Sequence, residues 1–381
     1  MKKRILCAGV GFLLLSVLIF GCGPTEPTTP TTPTTPTTPT APTTPTAPTE
    51  VEPIVLSYAQ GIGAVGAMAD SYREWAEMIK EATDGRYEIE FYWGGSLLTA
   101  METLVGTGAG LSDVGLAAGS YTPAELPLHE LLMHAYNAPD CYIGAKVQCQ
   151  LRDAFPALNE EYTRNNVRWV APMNSGVMQF FTPHDWSLSA AQGQVFRSHG
   201  GIRAKWQEKL GPKPIFMSIF DVYEAVERGV LWGFGNTLNL ANDLKHYEIV
   251  KTLLLLDSGV VMDVSTIMNL DVWNSMSKAD QEIFVEVGTD WGCNSQARTF
   301  MERETWIADE WANKHGVNVI RPTTGESEIF KAAALETITE AAVERDEKLG
   351  TGDTCQKLVE LAWSIRDELL SEVEEKGYPW E

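Results

Sequence analysis

The segment 194–239 constrains the fold most, because it alternates short extended runs with helical ones. Val195-Phe196-Arg197 is an extended run, and the helical pattern that follows it ends at Gly211-Pro212. Ile215-Phe216-Met217 then predicts a second buried strand, with another helical pattern after it. A β-α-β-α order predicts strands whose carboxyl ends meet at one crevice, where small ligands bind. Arg197 lies at such an end and is the first candidate for a ligand contact.

The same alternation continues on both sides of this segment. Residues 54–58 read as a strand, and the helical pattern after them ends at Asp84-Gly85. Further strand patterns lie at 87–92, 114–118 and 264–270. The whole pattern predicts an α/β protein with doubly wound, parallel sheets in two interleaved lobes, and a ligand cleft between the lobes.

Two crossings between the lobes are predicted, one at Asn174-Ser175-Gly176 and one before the strand pattern at 264–270. A long, kinked helix is expected from Lys278 to His315, followed by two acidic helices. The two-lobed domain is therefore assigned to residues 54–381. We place its parts as follows: lobe I at about 54–175 and 263–290, lobe II at about 176–262, and C-terminal helices that brace both lobes at 291–381.

The first 53 residues do not have the composition of a folded core. Residues 1–21 join a basic start to a short apolar run, which is typical of a secretory signal peptide. Cys22 is the candidate lipidated residue of an extracytoplasmic, membrane-anchored lipoprotein; ordinary signal cleavage and an uncleaved anchor are the alternatives. The remainder of 22–53 repeats Thr-Thr-Pro, which favours an extended tether, and the composition leaves its glycosylation open.

Charge limits the classes of partner. The chain has 51 acidic and 29 basic residues, for a formal net charge of −22. A nucleic-acid partner needs a basic face, so this composition argues against one. It permits an anionic ligand, because a single local arginine can hold an anion inside an acidic protein.

Four of the six cysteines fall in the predicted domain: Cys141, Cys149, Cys293 and Cys355. In an exported protein they suggest disulfides, and the favoured pairing joins Cys141 to Cys149 and Cys293 to Cys355. Free buried thiols are the alternative. No metal site is predicted, since no Cys-x-x-Cys spacing with a partnering histidine occurs.

A glycine-rich motif supports the main alternative function. Residues 61–66 match G-x-G-x-x-G between a strand and a helix, and Glu88 and Glu90 follow at about the distance of a ribose-binding acid. The alternative is therefore an exported oxidoreductase that binds NAD(P). The predicted export places the domain away from nicotinamide pools, so we favour a glycine turn that lets backbone approach a ligand at a helix N-terminus.

An ordered set of short motifs runs from Arg197 to Asn236. Its members are Val195-Phe196-Arg197, Leu210-Gly211, Met217, Asp221-Val222-Tyr223, Gly229-Val230-Leu231-Trp232-Gly233 and Asn236. This set resembles the signature region of TRAP-transporter solute-binding proteins of the DctP type, and the likeness covers most of 54–300. The resemblance implies a type II periplasmic-binding-protein-like fold and a long bracing helix. It also implies no enzymatic activity, no cofactor, and delivery of a small organic acid to a membrane permease.

The resemblance implies that Arg197 binds the ligand carboxylate through paired hydrogen bonds and that Asn236 contacts its second oxygen. Arg197 lies 13 residues before Leu210, which fits the family spacing, whereas Arg203 lies only 7 before it and is expected to be a surface charge. Met178 stands where relatives often have a second arginine. A monocarboxylate is therefore expected rather than a dicarboxylate, and its identity stays open.

Further ligand contacts are expected from both lobes. From lobe I they are Gln60, Gly119, Ser120 and Tyr121. From lobe II they are Gln179, Phe180, Ile219 and Trp232.

Overall fold

The computed structural model describes residues 52–381, which lie in one compact unit. The predicted signal peptide, Cys22 and nearly all of the Thr/Pro tether lie outside the described residues. Within the described part, no helix is both long enough and apolar enough to cross a membrane.

The strands of the described chain, in order, are β1 (Ile54–Ala59), β2 (Tyr87–Tyr92), β3 (Val114–Ala118), β4 (Val167–Met173), β5 (Met178–Thr182), β6 (Val195–Ser198), β7 (Lys213–Phe216), β8 (Gly233–Thr237), β9 (Thr252–Leu254), β10 (Val264–Asn269) and β11 (Asn318–Ile320). The α-helices are α1 (Ala67–Ala82), α2 (Thr103–Gly108), α3 (Pro127–Leu131), α4 (Cys141–Ala154), α5 (Pro156–Arg164), α6 (Leu188–Ala191), α7 (Gly201–Lys209), α8 (Val222–Glu227), α9 (Leu238–Asp243), α10 (Leu270–Ser275), α11 (Lys278–Asp290), α12 (Ala297–His315), α13 (Thr324–Leu349) and α14 (Thr354–Lys376).

These strands form two sheets, and the α/β architecture is as predicted. The sheet of lobe I has the order β2-β1-β3-β10-β4, and the sheet of lobe II has the order β11-β9-β5-β8-β6-β7. The chain crosses from β4 to β5 and returns from β9 to β10, so each lobe is built from separate stretches.

Both sheets are mixed, which corrects the prediction of wholly parallel sheets. β1 runs parallel to β2 and β3, and β6 runs parallel to β7 and β8. β10 and β5, the first strands after each crossing, run antiparallel to both of their neighbours. They enter their sheets directly from the other lobe rather than through a helical crossover, which is the connection that keeps successive strands parallel.

A long helical segment joins the two cores. α11 continues through a π-helical turn at Trp291–Gln296 into α12. Trp291 packs among the aromatic side chains of lobe I, 5.4 Å from Tyr72 between ring centroids. Further along, Trp311 packs 5.6 Å from Phe181 in the core of lobe II. The π turn gives the predicted kink a physical cause, because a wider turn interrupts the regular helical ladder.

The C-terminal helices also contact both lobes. Lys209 at the end of α7 forms ion pairs of 2.9 Å with both Glu336 and Glu340 of α13. α14 packs on α4 of lobe I. The start of α13 is set by Thr323 and Glu326, whose side chains each accept a backbone N–H from the other residue.

The predicted disulfide pairing is wrong. Cys141 and Cys149 lie eight residues apart on α4, which separates them by about 12 Å along the helix, too far for a disulfide. The sulfur of Cys149 instead lies 3.6 Å from that of Cys293, and Cys355 lies at the start of α14. All four are buried as free thiols.

Candidate functional site

A small cavity of about 70 Å³ lies between the two lobes. Its wall is mostly apolar, with a few polar side chains, as is usual for small-molecule sites. The polar members are Ser120, Tyr121, Ser175, His199, Asn236 and Asp263. The apolar wall includes Ile62, Met68, Leu116, Met173, Ile219, Phe220, Leu240 and Val261. A larger groove of about 530 Å³ beside Tyr136, Arg321 and Arg366 is lined by none of the predicted site residues.

Arg197 is held rigidly next to this cavity. It lies in β6 between β7 and β8, and its side chain is fully buried. Nε donates to the carbonyl oxygen of Met217 at 2.9 Å, and Nη1 donates to that of Gly235 at 2.9 Å. Nη1 also contacts a ring nitrogen of His199 at 3.1 Å, and Nη2 reaches the hydroxyl of Tyr121 at 3.3 Å. These bonds fix the plane of the guanidinium.

The charge of Arg197 has no carboxylate partner among residues 52–381. None of the ion pairs in this part of the chain includes it. Burial lowers the pKa of Arg197, and the hydroxyl of Tyr121 offsets this only in part. A buried cation without an anion is costly, so the site is poised to accept a negative charge. Because Nε and Nη1 already have acceptors, Nη2 is the nitrogen with capacity for one more.

Tyr121 and His199 stand between Arg197 and the cavity, since both line it and both contact the guanidinium. The sequence prediction named Tyr121 and missed His199. Residues two apart on a strand face the same side, so the position of His199 relative to Arg197 was a usable signal. Burial and the charge of Arg197 lower the pKa of His199 well below its usual value, and the ring is therefore neutral.

Asn236 lines the cavity from β8. Its Oδ1 accepts the backbone N–H of Thr237 at 2.8 Å, which orients the amide. Its Nδ2 has only a long contact of 3.5 Å with Nδ1 of His246. Burial lowers the pKa of His246 to about 3, so this ring is neutral as well. The amide nitrogen of Asn236 is therefore a donor available to a ligand.

Asp263 is the acidic residue in the cavity wall, and sequence reasoning missed it. It is fully buried, and its Oδ2 accepts the backbone N–H of Ser120 at 2.6 Å. Its Oδ1 has no hydrogen-bond partner within the described chain. Burial raises the pKa of Asp263 to about 6, and Glu130 adds to the increase. Asp263 and Ser120 are 143 residues apart, so no local pattern could reveal this contact.

The turn after β3 is only partly as expected. Ser120 and Tyr121 line the cavity, and Ile219 faces them from lobe II with its N–H 3.4 Å from the Tyr121 hydroxyl. Gly119 does not line the cavity. A Cβ at Gly119 would lie 2.8 Å from the backbone nitrogen of Glu130, so the glycine is required for close packing against α3.

Four expected contacts do not line the cavity, and three of them have another role. The amide of Gln179 is bound to the backbone and side chain of Asp257 at 2.9 Å. Phe180 packs in the core beside Phe196, and Trp232 stacks on His184. Gln60 is fully buried at the end of β1. Gln179 and Phe180 are adjacent on β5 and point to opposite faces of the sheet, so at most one of them could have faced the cavity.

Arg203 is buried, which corrects its expected place on the surface. Its Nε donates to the carbonyl oxygen of Met133 at 2.7 Å and its Nη1 to the hydroxyl of Ser258 at 3.1 Å. It does not line the cavity. Burial lowers its pKa to about 10.

The glycine-rich segment does not present its helix N-terminus to a ligand. The carboxylate of Asp243, in lobe II, accepts the N–H of Met68 in the first turn of α1 at 3.2 Å. A Cβ at Gly66 would lie 2.7 Å from that carboxyl group, so glycine permits the approach. The end of α1 that a dinucleotide pyrophosphate would need already holds an acidic side chain, which argues against the oxidoreductase alternative.

Two α/β lobes between which the chain crosses twice, with a cavity of apolar and polar side chains between them, define a two-lobed solute-binding protein. Residues 67–345 match the model of the DctP family, described as bacterial extracellular solute-binding protein, family 7. The chain belongs to this family, which confirms the resemblance seen in its signature segment. The family consists of binding receptors rather than enzymes.

Solved structures of several solute receptors share the fold. The Bordetella pertussis extracytoplasmic solute receptor DctP7, which binds pyroglutamic acid, has a TM-score of 0.72 and 16% identity, over 81% of this chain and 99% of its own. A TRAP periplasmic solute-binding protein from Desulfovibrio salexigens with bound orotic acid has a TM-score of 0.72 and 18% identity, over 82% and 99%. One from Haemophilus influenzae with bound L-gulonate has a TM-score of 0.70 and 18% identity, over 82% and 99%.

Proposed function

We propose that this chain is the extracytoplasmic receptor of a TRAP transporter, and that it captures a small organic monocarboxylate between its lobes for a membrane permease. The observation that carries the proposal is the fully buried guanidinium of Arg197, which lies beside the interlobe cavity without a carboxylate partner in the described chain. A carboxylate ligand would supply the missing negative charge. Charge-assisted hydrogen bonds of this kind contribute roughly 1.5–3 kcal/mol each.

The available donors indicate how the carboxylate would bind. One oxygen takes Nη2 of Arg197 and displaces the long 3.3 Å contact with the Tyr121 hydroxyl. The other oxygen takes Nδ2 of Asn236, whose present contact is equally weak. A symmetric two-nitrogen grip by Arg197 would require breaking its bond to His199 or Met217, so Asn236 completes the pair instead.

The cavity wall favours a ligand with one carboxyl group. It contains no lysine or arginine, and its one charged member is the acidic residue Asp263. A second carboxylate would therefore meet a like charge rather than a cation, which is unfavourable in a buried site. The small volume, about 70 Å³, likewise favours a compact acid.

Asp263 adds a second requirement. Its Oδ1 is buried at the cavity and lacks a donor, which costs free energy until one arrives. We therefore infer that the acid also carries an N–H or O–H group. Pyroglutamic acid, orotic acid and L-gulonate, which are bound by structurally similar proteins, each combine one carboxyl group with such donors.

The buried charge of Arg197 would make closure of the lobes depend on ligand binding. In a closed but empty protein the guanidinium stays desolvated without an anion, so the closed form is disfavoured until the acid enters. We propose that the closed, loaded form docks on the permease. An acyl chain on Cys22, followed by the Thr/Pro tether, would hold the receptor at the membrane.

A ligand screen tests the function directly. Thermal-shift and calorimetric titrations should include small monocarboxylates with N–H or O–H groups, their uncharged amides, and succinate. We expect saturable binding of at least one monocarboxylate, no binding of its amide, and weaker binding of succinate. Binding of the amide as tightly as the acid would contradict the proposal, and so would saturable binding of NADH with no response to any acid.

A further inference from the structure

Cys149 and Cys293 form a contact that the ligand site does not use. Their sulfur atoms lie 3.6 Å apart, although the residues are 144 positions apart in the chain. Both side chains are buried and pack in a small cluster with Ala145, one turn before Cys149 on α4. The small side chain of Ala145 leaves the space that Cys293 occupies.

The helix that carries Cys293 is shaped for this close approach. Cys293 lies in the π-helical turn at Trp291–Gln296, between α11 and α12. Its neighbour Gly292 lies against β4, where a Cβ would come within 2.6 Å of the ring of Pro172. The wide turn and the glycine together allow the helix to lie close to β4 while Cys293 faces α4.

The two thiols also differ from the other cysteines in their polar surroundings. The hydroxyl of Thr289 lies 3.9 Å from the sulfur of Cys149, and it accepts a hydrogen bond from Nη2 of Arg152 at 3.2 Å. The hydrogen bond from Cys293 lowers the pKa of Cys149, and the charge of Arg152 adds to the effect. Burial raises the pKa of Cys355 to about 12 and that of Cys141 well above its usual value.

We propose that Cys149 and Cys293 are a disulfide site, and that the bond forms as the exported chain folds in an oxidising compartment. The thiolate of one of the two cysteines attacks one sulfur of an external disulfide and expels the first thiolate from it. The thiolate of the other cysteine then attacks the protein sulfur of this mixed disulfide and expels the second. Two protein thiols are oxidised, and one external disulfide is reduced to two thiols.

The structure accommodates the bond with little movement. A disulfide has a sulfur–sulfur length near 2.05 Å, so the two atoms must approach by about 1.5 Å. Because both sulfurs are buried in the folded protein, the exchange takes place before the cluster closes. Extracytoplasmic compartments supply disulfide oxidants, whereas the cytoplasm keeps such pairs reduced.

The bond would link α4 of lobe I to the π-helical turn that precedes α12, the helix that extends into the core of lobe II. It would close a loop of 144 residues, and long loops are those in which a cross-link restricts the unfolded chain most. Neither cysteine lines the interlobe cavity. The disulfide should therefore stabilise the fold without changing ligand affinity.

Peptide mapping of the full-length exported protein provides the first test. The protein is denatured without reductant, alkylated, digested and analysed by mass spectrometry. We expect a cross-linked peptide containing Cys149 and Cys293, with Cys141 and Cys355 both alkylated. Alkylation of all four residues, both in the exported protein and after refolding with excess oxidised glutathione, would overturn the proposal. So would any other pairing among the four.

Thermal unfolding with and without reductant provides the second test. Reduction should lower the Tm of the wild-type protein by roughly 5 °C or more. The double variant Cys149→Ala/Cys293→Ala should lose this dependence on reductant, and the matched control Cys141→Ala/Cys355→Ala should keep it. A wild-type Tm that does not change on reduction would contradict the inference, and this reading does not depend on whether either variant folds.

Discussion

Arg197 and Asp263 are fully buried residues of opposite charge; Asp263 lines the interlobe cavity, and Arg197 contacts Tyr121 and His199, which line it. Arg197 is oriented by the carbonyl oxygens of Met217 and Gly235, and Asp263 by the backbone N–H of Ser120. In both cases the protein fixes one side of the charged group and leaves the other side without a partner. A ligand that supplies an anion to one and a donor to the other satisfies both groups together.

Substitutions of Arg197 test whether its guanidinium binds the carboxylate of the ligand. Arg197→Ala should abolish acid binding, and Arg197→Lys should weaken it at least tenfold, because a lysine cannot keep the carbonyl contacts while it also reaches the ligand. The measurement is isothermal titration calorimetry with an acid found by the screen. Arg203→Lys is the matched control, since Arg203 is also buried but forms its hydrogen bonds with Met133 and Ser258, which do not line the cavity. Normal binding by Arg197→Lys with loss of binding in Arg203→Lys would show that the other arginine holds the ligand.

Two ligands that differ only in one N–H group test whether Asp263 accepts a hydrogen bond from the ligand. A cyclic acid with a ring N–H should bind the wild-type protein at least tenfold more tightly than the same ring with CH₂ in that place. In Asp263→Asn the amide can still accept from Ser120, and its NH₂ then faces the cavity as a donor. We expect the preference to fall below about threefold. An unchanged preference in the variant, with normal acid binding, would refute the role of Asp263 and leave that of Arg197 intact.

The pKa of Asp263, about 6, gives this contact a pH dependence. Below that pH the carboxyl group is protonated and offers a donor where the ligand N–H needs an acceptor. Affinity for an N–H acid should therefore fall roughly tenfold between pH 7.5 and pH 5, with Glu130 and Arg203 as the charged groups nearby. His199 and His246 stay neutral over this range, because their pKa values lie well below it. Asp263→Asn should remove the dependence, and a pH profile equal to that of the wild type would contradict the assignment.

At the scale of elements, the N-terminus of α1 is a contact between the lobes. Asp243, the last residue of α9, accepts the N–H of Met68 and also pairs with Arg303 of α12 at 2.9 Å. The carboxylate of Asp243 in lobe II thus contacts both α1 of lobe I and the long helix α12. The sequence suggested a ligand at this helix end, and the structure shows that the opposite lobe provides the anion instead.

We expect Asp243→Ala to weaken ligand binding without changing the cavity wall. Loss of a side-chain acceptor at a helix N-terminus costs about 1 kcal/mol, which corresponds to about fivefold in affinity if the contact forms on closure. Calorimetry gives the affinity, and small-angle scattering gives the radius of gyration with and without acid. Asp185→Ala is the control, because the ion pair of Asp185 with Lys251 is exposed and lies within lobe II. Equal effects of the two substitutions would exclude a role of Asp243 in closure.

At the scale of the whole molecule, buried acids couple stability to pH. Burial raises the pKa of Glu304 to about 8 and that of Glu161 to about 7. Glu304 projects from α12 and accepts the N–H of Val177 at 2.8 Å, next to the first crossing between the lobes. The native state holds these protons more tightly than the unfolded chain does. The contribution of these two acids to the free energy of unfolding therefore decreases as pH rises from about 4.5 to 8, and it levels off above that range.

Thermal unfolding between pH 7 and 8.5 should show this decrease in Tm, because the buried histidines, whose effect has the opposite sign, act below this range. In Glu304→Gln the amide oxygen still accepts from Val177 but carries no titrating group, so the decline between pH 7 and 8 should be smaller. Glu328 is exposed, so Glu328→Gln should leave the pH profile of Tm unchanged. This control shows whether the effect comes from the burial of Glu304 or from the removal of any one acidic residue. A Glu304→Gln profile that matches the wild type would show that Glu304 is not the group responsible.

The amino-acid sequence by itself predicted the strands and helices around the site and singled out Arg197 in β6. Alternating patterns located the strands and helices because each element must bury one face, and Arg197 stood out because a charge ends an apolar strand. His199 was predictable in the same way, from its position two residues further along. Gln179 and Phe180 were both expected to contact the ligand, although neighbours on a strand point to opposite faces of the sheet, and in the structure neither lines the cavity.

Only the tertiary structure decided which distant residues meet. The contact of Asp263 with Ser120, that of Asp243 with α1, and that of Cys149 with Cys293 each join segments far apart in the chain. None leaves a periodic trace in the sequence, because each depends on how the sheets and the long helix pack together. Local periodicity reports burial, whereas the partners of a buried polar group are set by the packing of elements that the chain connects only at a distance.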